Sequence, residues 1–401
     1  MSKLKFCALI VCALMIFTLV GCGGDENGNK ERPAYSEAVE FEGTAHDAQV
    51  FFVNVGKADG AIVNIDGHVW LIDVGTEASF VNTYAALEHM GVKGIDGVIL
   101  THEHEDHIGG LDAVAKKYPI AKAVYPELLM SSYEIEDLLI ANSIPSNTAK
   151  KGDSIAITDG VSFEVLAPEK QNGDDDNDNS LVVKLSVNGR SFLFTGDMQT
   201  AEDGLLTASG QDISCDVLKV PNHGNADATS EAFAKACDPL ISIISTDTSV
   251  DANSASVKVR AKLAGSEIYV TQDYDLGILV SVSREGAISL SFPARHEALS
   301  GAELTGASKA EQTFTVQNKT GESLDLSGWF VYSAKGCEVF CFPDGTVIGP
   351  DAALLVACKK SPQADAADLI WDLKKVWADK KDDDAVLCDP YGNEVSRIPS
   401  E

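Results

Sequence analysis

The sequence predicts an α/β domain followed by a smaller all-β domain. Three observations carry that reading. Residues 46–293 interleave strand-like and helix-like segments, whereas 310–401 runs almost wholly to short strands and turns. Residues 294–309, rich in Ala, Ser and Gly, read as the linker between them. A ligand-dense stretch, Thr101-His102-Glu103-His104-Glu105-Asp106-His107-Ile108-Gly109-Gly110, lies between a strand and a helix of the first domain. Ligand sites of α/β proteins sit in such loops beyond strand ends.

Taken in order, Met1–Gly21 reads as an export signal, with Lys3 and Lys5 before the apolar run Phe6–Val20. Leu19-Val20-Gly21-Cys22 resembles a bacterial lipoprotein signal, which makes Cys22 the lipidated first residue of an exported protein anchored on the cell surface. Residues 22–45 are expected as a flexible tether, since Gly23–Lys30 offers nothing apolar to pack. Val50–Val55, Ala61–Ile65 and Val69–Val74 predict a β-meander. A helix is expected over Ser79–Met90, closed by Gly91, then a buried strand at Gly97–Leu100 and a helix over Leu111–Tyr118. Ser230 reads as the N-cap of a helix over Glu231–Cys237, and Gly265 as the stop of the helix before it. Gly173–Ser180 is an acidic loop whose end is expected to enter the site.

Composition bounds the partners. The chain carries a formal charge of −30, or −32 without the two lysines of the signal. Such acidity excludes a broad electrostatic grip on nucleic acid. It leaves a phosphodiester substrate open, because bound metal ions reverse the local charge. The C-terminal region alone holds 9 Lys/Arg against 16 Asp/Glu, with no basic stripe. Beyond Cys22, Cys215, Cys237, Cys337, Cys341, Cys358 and Cys388 form an even set, so an exported protein is expected to hold disulfides, with Cys215 and Cys237 placed to meet.

Three of the chain's eight histidines fall within the loop His102–His107, with Asp106 and the Thr101 hydroxyl beside them. Imidazole suits zinc and its neighbours, and carboxylates add charge and bridge ions. The H-x-H-x-D-H spacing resembles the metallo-β-lactamase superfamily. Leu71-Ile72-Asp73-Val74-Gly75, Phe194-Thr195-Gly196-Asp197 and Lys219-Val220-Pro221-Asn222-His223-Gly224 look like its other motifs, in the family's order. Val55-Gly56-Lys57-Ala58-Asp59, Asn179-Ser180-Leu181-Val182 and Tyr269-Val270-Thr271 before Gly277-Ile278 narrow the resemblance to the hydrolase domain of ComEC-like competence proteins. The resemblance implies an αββα sandwich and two divalent ions, Zn or Mn. His102 and His104 would hold one, Asp106, His107 and His223 the other, with Asp197 bridging. Asp106, Asp197 and His223 are the catalytic candidates. Asp73 is expected to orient a ligand histidine. Asp59, Asp178, Asn179, Ser180 and Asn222 are expected around the ligands or on the substrate side. Two departures stand out. No histidine occurs from Ile108 to Asn222, and Asn222 stands where many of these relatives have a second histidine.

Leu324-Asp325-Leu326-Ser327-Gly328-Trp329 and Asp384-Ala385-Val386-Leu387-Cys388-Asp389 resemble a lamin tail domain, an immunoglobulin-like β-sandwich with Trp329 in its core. Its expected role is docking or spacing, with a protein or cell-wall partner. The function these readings imply is a metal-dependent phosphodiesterase or nuclease acting on extracellular DNA. A cell-wall phosphodiester (teichoic-acid or choline-phosphate) is the competing substrate. A non-catalytic surface-binding lipoprotein with a vestigial hydrolase domain is the competing class.

Overall fold

The computed structural model describes residues 32–377 and 382–400. Met1–Gly21 and Cys22, the signal and the lipidation site of the sequence reading, lie outside the described residues. Among those that are described, no helix is long and apolar enough to cross a membrane.

The chain begins with β1 (Ala48–Val53), β2 (Gly60–Ile65), β3 (His68–Val74), β4 (Gly97–Ile99), β5 (Ala123–Pro126) and β6 (Ser146–Ala149). It crosses to a second sheet for β7 (Ser154–Thr158), β8 (Val161–Ala167), β9 (Val182–Val187), β10 (Arg190–Phe194), β11 (Val217–Lys219), β12 (Ile241–Ile244) and β13 (Glu267–Val270). It returns with β14 (Gly277–Val282) and β15 (Ile288–Ser291). The first sheet has the order β15-β14-β1-β2-β3-β4-β5-β6, the second β13-β12-β11-β10-β9-β8-β7. Each combines antiparallel hairpins with a run of parallel strands: β3 to β6 in one, β10 to β13 in the other.

Strand alternation dictates the layers. Val50, Phe52, Trp70 and Ile72 point inward against Phe163, Val183, Leu185, Phe192 and Phe194 of the other sheet. The opposite faces are covered by helices. α1 (Phe80–His89), α3 (Leu111–Lys117) and α4 (Tyr133–Ala141) cover the first sheet. α5 (Thr200–Ala208), α6 (Glu231–Cys237) and α7 (Val257–Lys262) cover the second. This is the αββα sandwich. The Ser230 hydroxyl caps α6 by accepting from Phe233 N at 3.0 Å.

The structure departs from the sequence reading at several points. The loop of ligands is partly helical, since Glu105–Ile108 forms a single turn, α2. α7 ends at Lys262 with Leu263 as its cap, so Gly265 is not the stop. The expected tether packs from Tyr35 onward: Val39 N donates to the Glu285 carbonyl at 2.9 Å, and the buried Arg190 guanidinium bonds the carbonyls of Tyr35 and Glu37. Tyr35, Val39 and Phe41 supply the apolar groups that Gly23–Lys30 lacks. The expected linker contains a strand, β16 (Ala302–Ser308), in which Ala302 and Leu304 turn inward and are buried. No disulfide joins the six cysteines of the described residues. Cys215 and Cys237 do meet, joined through Cys215 N to the Cys237 carbonyl at 3.0 Å. Burial first, and then the neighbouring Cys215, hold the Cys237 thiol far above its ordinary range.

The C-terminal domain continues with β17 (Thr313–Asn318), β18 (Leu324–Asp325), β19 (Phe330–Ser333), β20 (Val339–Cys341), β21 (Val347–Ile348), β22 (Ala353–Cys358), β23 (Leu369–Trp371), β24 (Asp384–Cys388) and β25 (Glu394–Pro399). Two four-stranded sheets, β16-β17-β22-β23 and β20-β19-β24-β25, enclose Phe314, Trp329, Phe340, Trp371 and Trp377. Cys341 and Cys388 both lie opposite Phe330, on the strands either side of it. Two strand spacings, roughly 9–10 Å, exceed the Cα separation a disulfide spans.

This domain is packed on the first and shares its core. Phe330, Val339 and Val386 join the apolar cluster of α1 and α3. The Phe330 ring meets Phe80 at 6.0 Å and Tyr84 at 5.1 Å, both edge-on. Lys117 Nζ lies 4.8 Å from the Tyr84 ring centre and 5.5 Å from that of Phe330, and donates to the Pro390 carbonyl at 3.1 Å. Arg295 ties Asn82 of α1 to the Gly392 carbonyl. Phe330→Ala is therefore expected to cost about 3 kcal/mol of folding stability, the scale of a buried Phe truncation. Denaturant unfolding measures it; a loss below about 1 kcal/mol would mean the interface contributes little.

Candidate metal centre

Strand ends deliver the site. Asp73 lies at the end of β3, Thr101 and His102 follow β4, Asp197 follows β10 and His223 follows β11. The Leu181 N to Thr101 carbonyl bond, at 2.9 Å, links the two sheets at this end. Three residues here adopt left-handed backbone: Asp73, Asn222 and His223 have φ of 56°, 43° and 52°. Non-glycine residues adopt that region at a cost of order 1–3 kcal/mol each and keep it only when surroundings enforce it. Gly196 is required rather than tolerated. Its φ is +51°, and a Cβ there would lie 2.9 Å from the Ser180 and Thr101 side chains.

Asp73 organises the ligand loop. Its Oδ1 accepts from Thr101 N at 2.8 Å, and its Oδ2 accepts from the Thr101 hydroxyl and pairs with His107 Nδ1, both at 2.7 Å. The Thr101 hydroxyl is thus committed to Asp73 instead of serving as a ligand. With Nδ1 engaged, His107 turns Nε2 inward. His223 does the same, because its Nδ1 donates to the Ser245 carbonyl at 2.8 Å. Such partners fix the tautomer and ring angle of metal-binding histidines.

One oxygen or nitrogen from each of Asp106, His107, Asp197 and His223 lies within 4.8 Å of all the others. His107 Nε2 and His223 Nε2 approach Asp197 Oδ2 at 3.3 and 3.2 Å, and His223 Nε2 approaches Asp106 Oδ2 at 3.3 Å. Yet both Nε2 atoms and Asp197 Oδ1 are buried without a hydrogen-bond partner. Buried polar atoms are normally satisfied. Three unpartnered atoms from His107, His223 and Asp197, converging beside the Asp106 carboxylate, fit a cation, and the residue types suit zinc or a neighbouring divalent ion. The electrostatics agree. Burial would raise Asp197, but His223 and His107 hold it well below the ordinary carboxylate range. Burial would lower His223, but Asp197 and Asp106 push it up to about 9.

His102 and His104 come together as a pair, Nε2 to Nδ1 at 3.0 Å, beside His107 with ring centres 4.1 Å apart from His102. They lie outside the four-residue group. Burial, then His107, hold His102 well below its usual pKa. Ser180 sits between the sets: its hydroxyl accepts from Asp197 N at 3.1 Å and lies 3.3 Å from His102 Nδ1.

The remaining expected residues play supporting parts. Asp178 does not enter the group. Its Oδ1 accepts from Gln199 N and Glu202 N at 2.9 and 3.1 Å, capping α5. Asn179 is spent on Asn172 and Asp176. Both are buried and used by the local backbone, so neither replaces the absent histidine. Asn222 Oδ1 accepts from Asn225 at 3.1 Å. Asp59 is buried and ion-paired with Lys219, whose ammonium also reaches the Gly196 carbonyl at 3.4 Å. The sequence reading missed Lys219, Lys57 and Ser245. The lysines lay inside quoted motifs; Ser245 acts through a carbonyl and leaves no side-chain signal.

Asp73→Asn should weaken metal affinity about 10–100-fold while the fold persists, as loss of a ligand's orienting partner does elsewhere. Competition with a chelating dye measures this; unchanged affinity would remove Asp73 from the site. A second expectation concerns Glu202, behind the Asp178 cap. Burial, opposed by the Glu169 N–H it accepts, pushes its carboxyl up to about 7. The folded state thus keeps a proton that the unfolded chain releases near the ordinary glutamate value of 4.5. Stability from this group is full below that value and is lost as pH rises through about 7. Glu202→Gln should flatten stability between those limits, and an unchanged pH profile would show that Glu202 does not titrate there.

Comparison with known proteins places both halves. Residues 56–246 match the metallo-beta-lactamase superfamily, and residues 299–400 the lamin tail domain. ComE operon protein 3 of Bacillus subtilis is 33% identical over 158 residues, covering 39% of this chain and 20% of that protein. Competence protein ComA of Neisseria gonorrhoeae is 28% identical over 204 residues, covering 50% of this chain and 27% of that protein. The matches thus span about a fifth to a quarter of these relatives' lengths. A solved metallo-beta-lactamase fold protein, YhfI from Bacillus subtilis, aligns with 61% of this chain and 100% of its own at a TM-score of 0.40 and 10% identity. The chain therefore carries a metallo-β-lactamase-fold hydrolase domain that is similar to part of the ComEC-like competence proteins, followed by a lamin tail domain.

Proposed function

We propose that this protein is a surface-anchored, metal-dependent phosphodiesterase that acts on extracellular nucleic acid. The observation that carries the reading is the convergence of His107, His223, Asp197 and Asp106 on one point, with His107 Nε2, His223 Nε2 and Asp197 Oδ1 buried and unsatisfied. Two ions, zinc or manganese, fit the donor set: Asp106, His107 and His223 would hold one, His102 and His104 the other, and Asp197 would bridge. Bound there, divalent ions polarise a phosphoryl oxygen and lower the pKa of water. Asp73 and the Ser245 carbonyl hold the histidine rings at fixed angles. The strained backbone at Asn222 and His223 sets His223 against Asp197. No side-chain nucleophile is required. Relatives named for competence favour DNA as the substrate. Attachment through lipidated Cys22 would keep the domain at the cell surface.

The purified chain, loaded with manganese or zinc, should hydrolyse bis-p-nitrophenyl phosphate and single-stranded DNA but not nitrocefin. Chelation should abolish turnover and metal should restore it. Asp197→Ala should lose at least about a hundredfold in rate together with bound metal, since a bridging carboxylate serves both ions. Metal-loaded wild type that turns over no phosphodiester would sink the proposal. If it cleaves teichoic-acid linkages and not DNA, the substrate is the cell wall. Cys22→Ala should release the protein from the membrane fraction; normal retention would refute the anchor.

A further inference from the structure

Two lysines stand beside the ligand carboxylates, and they differ in what their ammonium groups can still do. Lys219 is buried between Asp59 and the Gly196 carbonyl. Lys57 reaches Asp106 Oδ2 at 2.7 Å while its side chain keeps 27% of its surface open. The charged and imidazole groups behind it (Asp59, Asp73, His107, Asp197 and His223) are almost wholly closed to solvent. The oxygen that Lys57 touches is also the one 3.3 Å from His223 Nε2, so the ammonium borders the ligand group itself. An ammonium has three donors, and the bond to Asp106 uses one. Asn222, next to His223 in sequence, is uncharged, and its side-chain oxygen is occupied by Asn225.

Resting on the phosphodiesterase reading above, we propose that Lys57 is a catalytic residue that contacts substrate: its ammonium donates to a non-bridging phosphoryl oxygen and supplies positive charge next to Asp106. A phosphoryl group held by the centre carries negative charge that grows in the transition state, and a fixed cation at its border stabilises it. The surrounding geometry supports a fixed position. Asp59 N donates to the Asp106 carbonyl at 3.0 Å and Gly75 N to the Asp59 carbonyl at 2.8 Å, so the Val55–Asp59 loop is tied to the ligand turn through backbone. Replacing the Lys57 side chain leaves both bonds in place.

The competing role for Lys57 is positioning of Asp106 alone, and the two roles separate in measurement. Lys57→Met and Lys57→Arg are compared with wild type for metal content, for binding of inorganic phosphate to the manganese-loaded protein by calorimetry, and for hydrolysis of bis-p-nitrophenyl phosphate. Lys57→Met should keep its metal, weaken phosphate binding about tenfold, the scale of a charge-assisted hydrogen bond, and lower kcat/KM by at least as much. Lys57→Arg should recover most of the phosphate affinity. If Lys57→Met binds phosphate as tightly as wild type, or loses metal in proportion to activity, Lys57 is not a substrate contact. Wild type that binds no phosphate overturns the proposal as well. If wild type binds phosphate through Lys57 yet cleaves no phosphodiester, the anion contact stands and the phosphodiesterase reading falls.

Discussion

The carboxylate of Asp73 accepts from the Thr101 amide and hydroxyl and pairs with His107 Nδ1, and the site depends on that arrangement. A buried carboxylate is costly unless its lone pairs are engaged. Here the partners are themselves the start and end of the ligand loop. Burial raises the Asp73 carboxyl, against His107. The strained φ at Asp73 aims the group out of β3 toward β4, across two neighbouring parallel strands. From that anchor the rest follows: Thr101 pins the loop to the second sheet through Leu181, and His107 faces Asp197.

The ligand residues were legible because their chemistry is concentrated. Histidines and aspartates spaced along strand ends have few structural uses, so Asp106, His107, Asp197 and His223, which the fold brings together, stood out as candidates, and so did the His102–His104 pair beside them. Apolar runs between glycine and aspartate turns made β1 to β3 legible in the same way. What stayed hidden was how polar side chains would divide between ligand and backbone. Asp178 and Asn179 fall near the right place in sequence, but loop and helix-end amides compete for their oxygens and win. The Thr101 hydroxyl was taken by a side chain instead, donating to the Asp73 carboxylate. Lys57 and Lys219 were visible as residues and silent as roles, because only the folded chain shows that one is enclosed and the other opens to solvent.

The domain border shows a second kind of limit. Composition suggested a spacer, yet Ala302 and Leu304 are buried and Phe330 turns toward the helices of the hydrolase. Small residues in 294–309 mimic a linker, since alternation over so few positions is a weak signal. The consequence reaches the site. α2 and α3 adjoin one another, and Ile108 and Leu111 belong to the same apolar cluster as Phe330 and Val339. Glu105, in the turn that carries Asp106 and His107, also accepts from Glu77 N at 2.9 Å, just before α1. The lamin tail domain therefore backs the helices that carry half of the ligand group.

Charge unifies the picture. A chain with a net charge of −30 repels polyanions at long range. Its centre adds Asp59, Asp73, Asp106 and Asp197, with Lys57 and Lys219 as the cations placed against them. Without further positive charge such a site is hostile to a phosphodiester. With divalent ions seated among the donors, the sign at the mouth inverts while the surface stays acidic. On the proposed function, recognition would then rest on the centre and its immediate border, a short, locally gripped phosphoryl group rather than extended backbone contacts along a duplex.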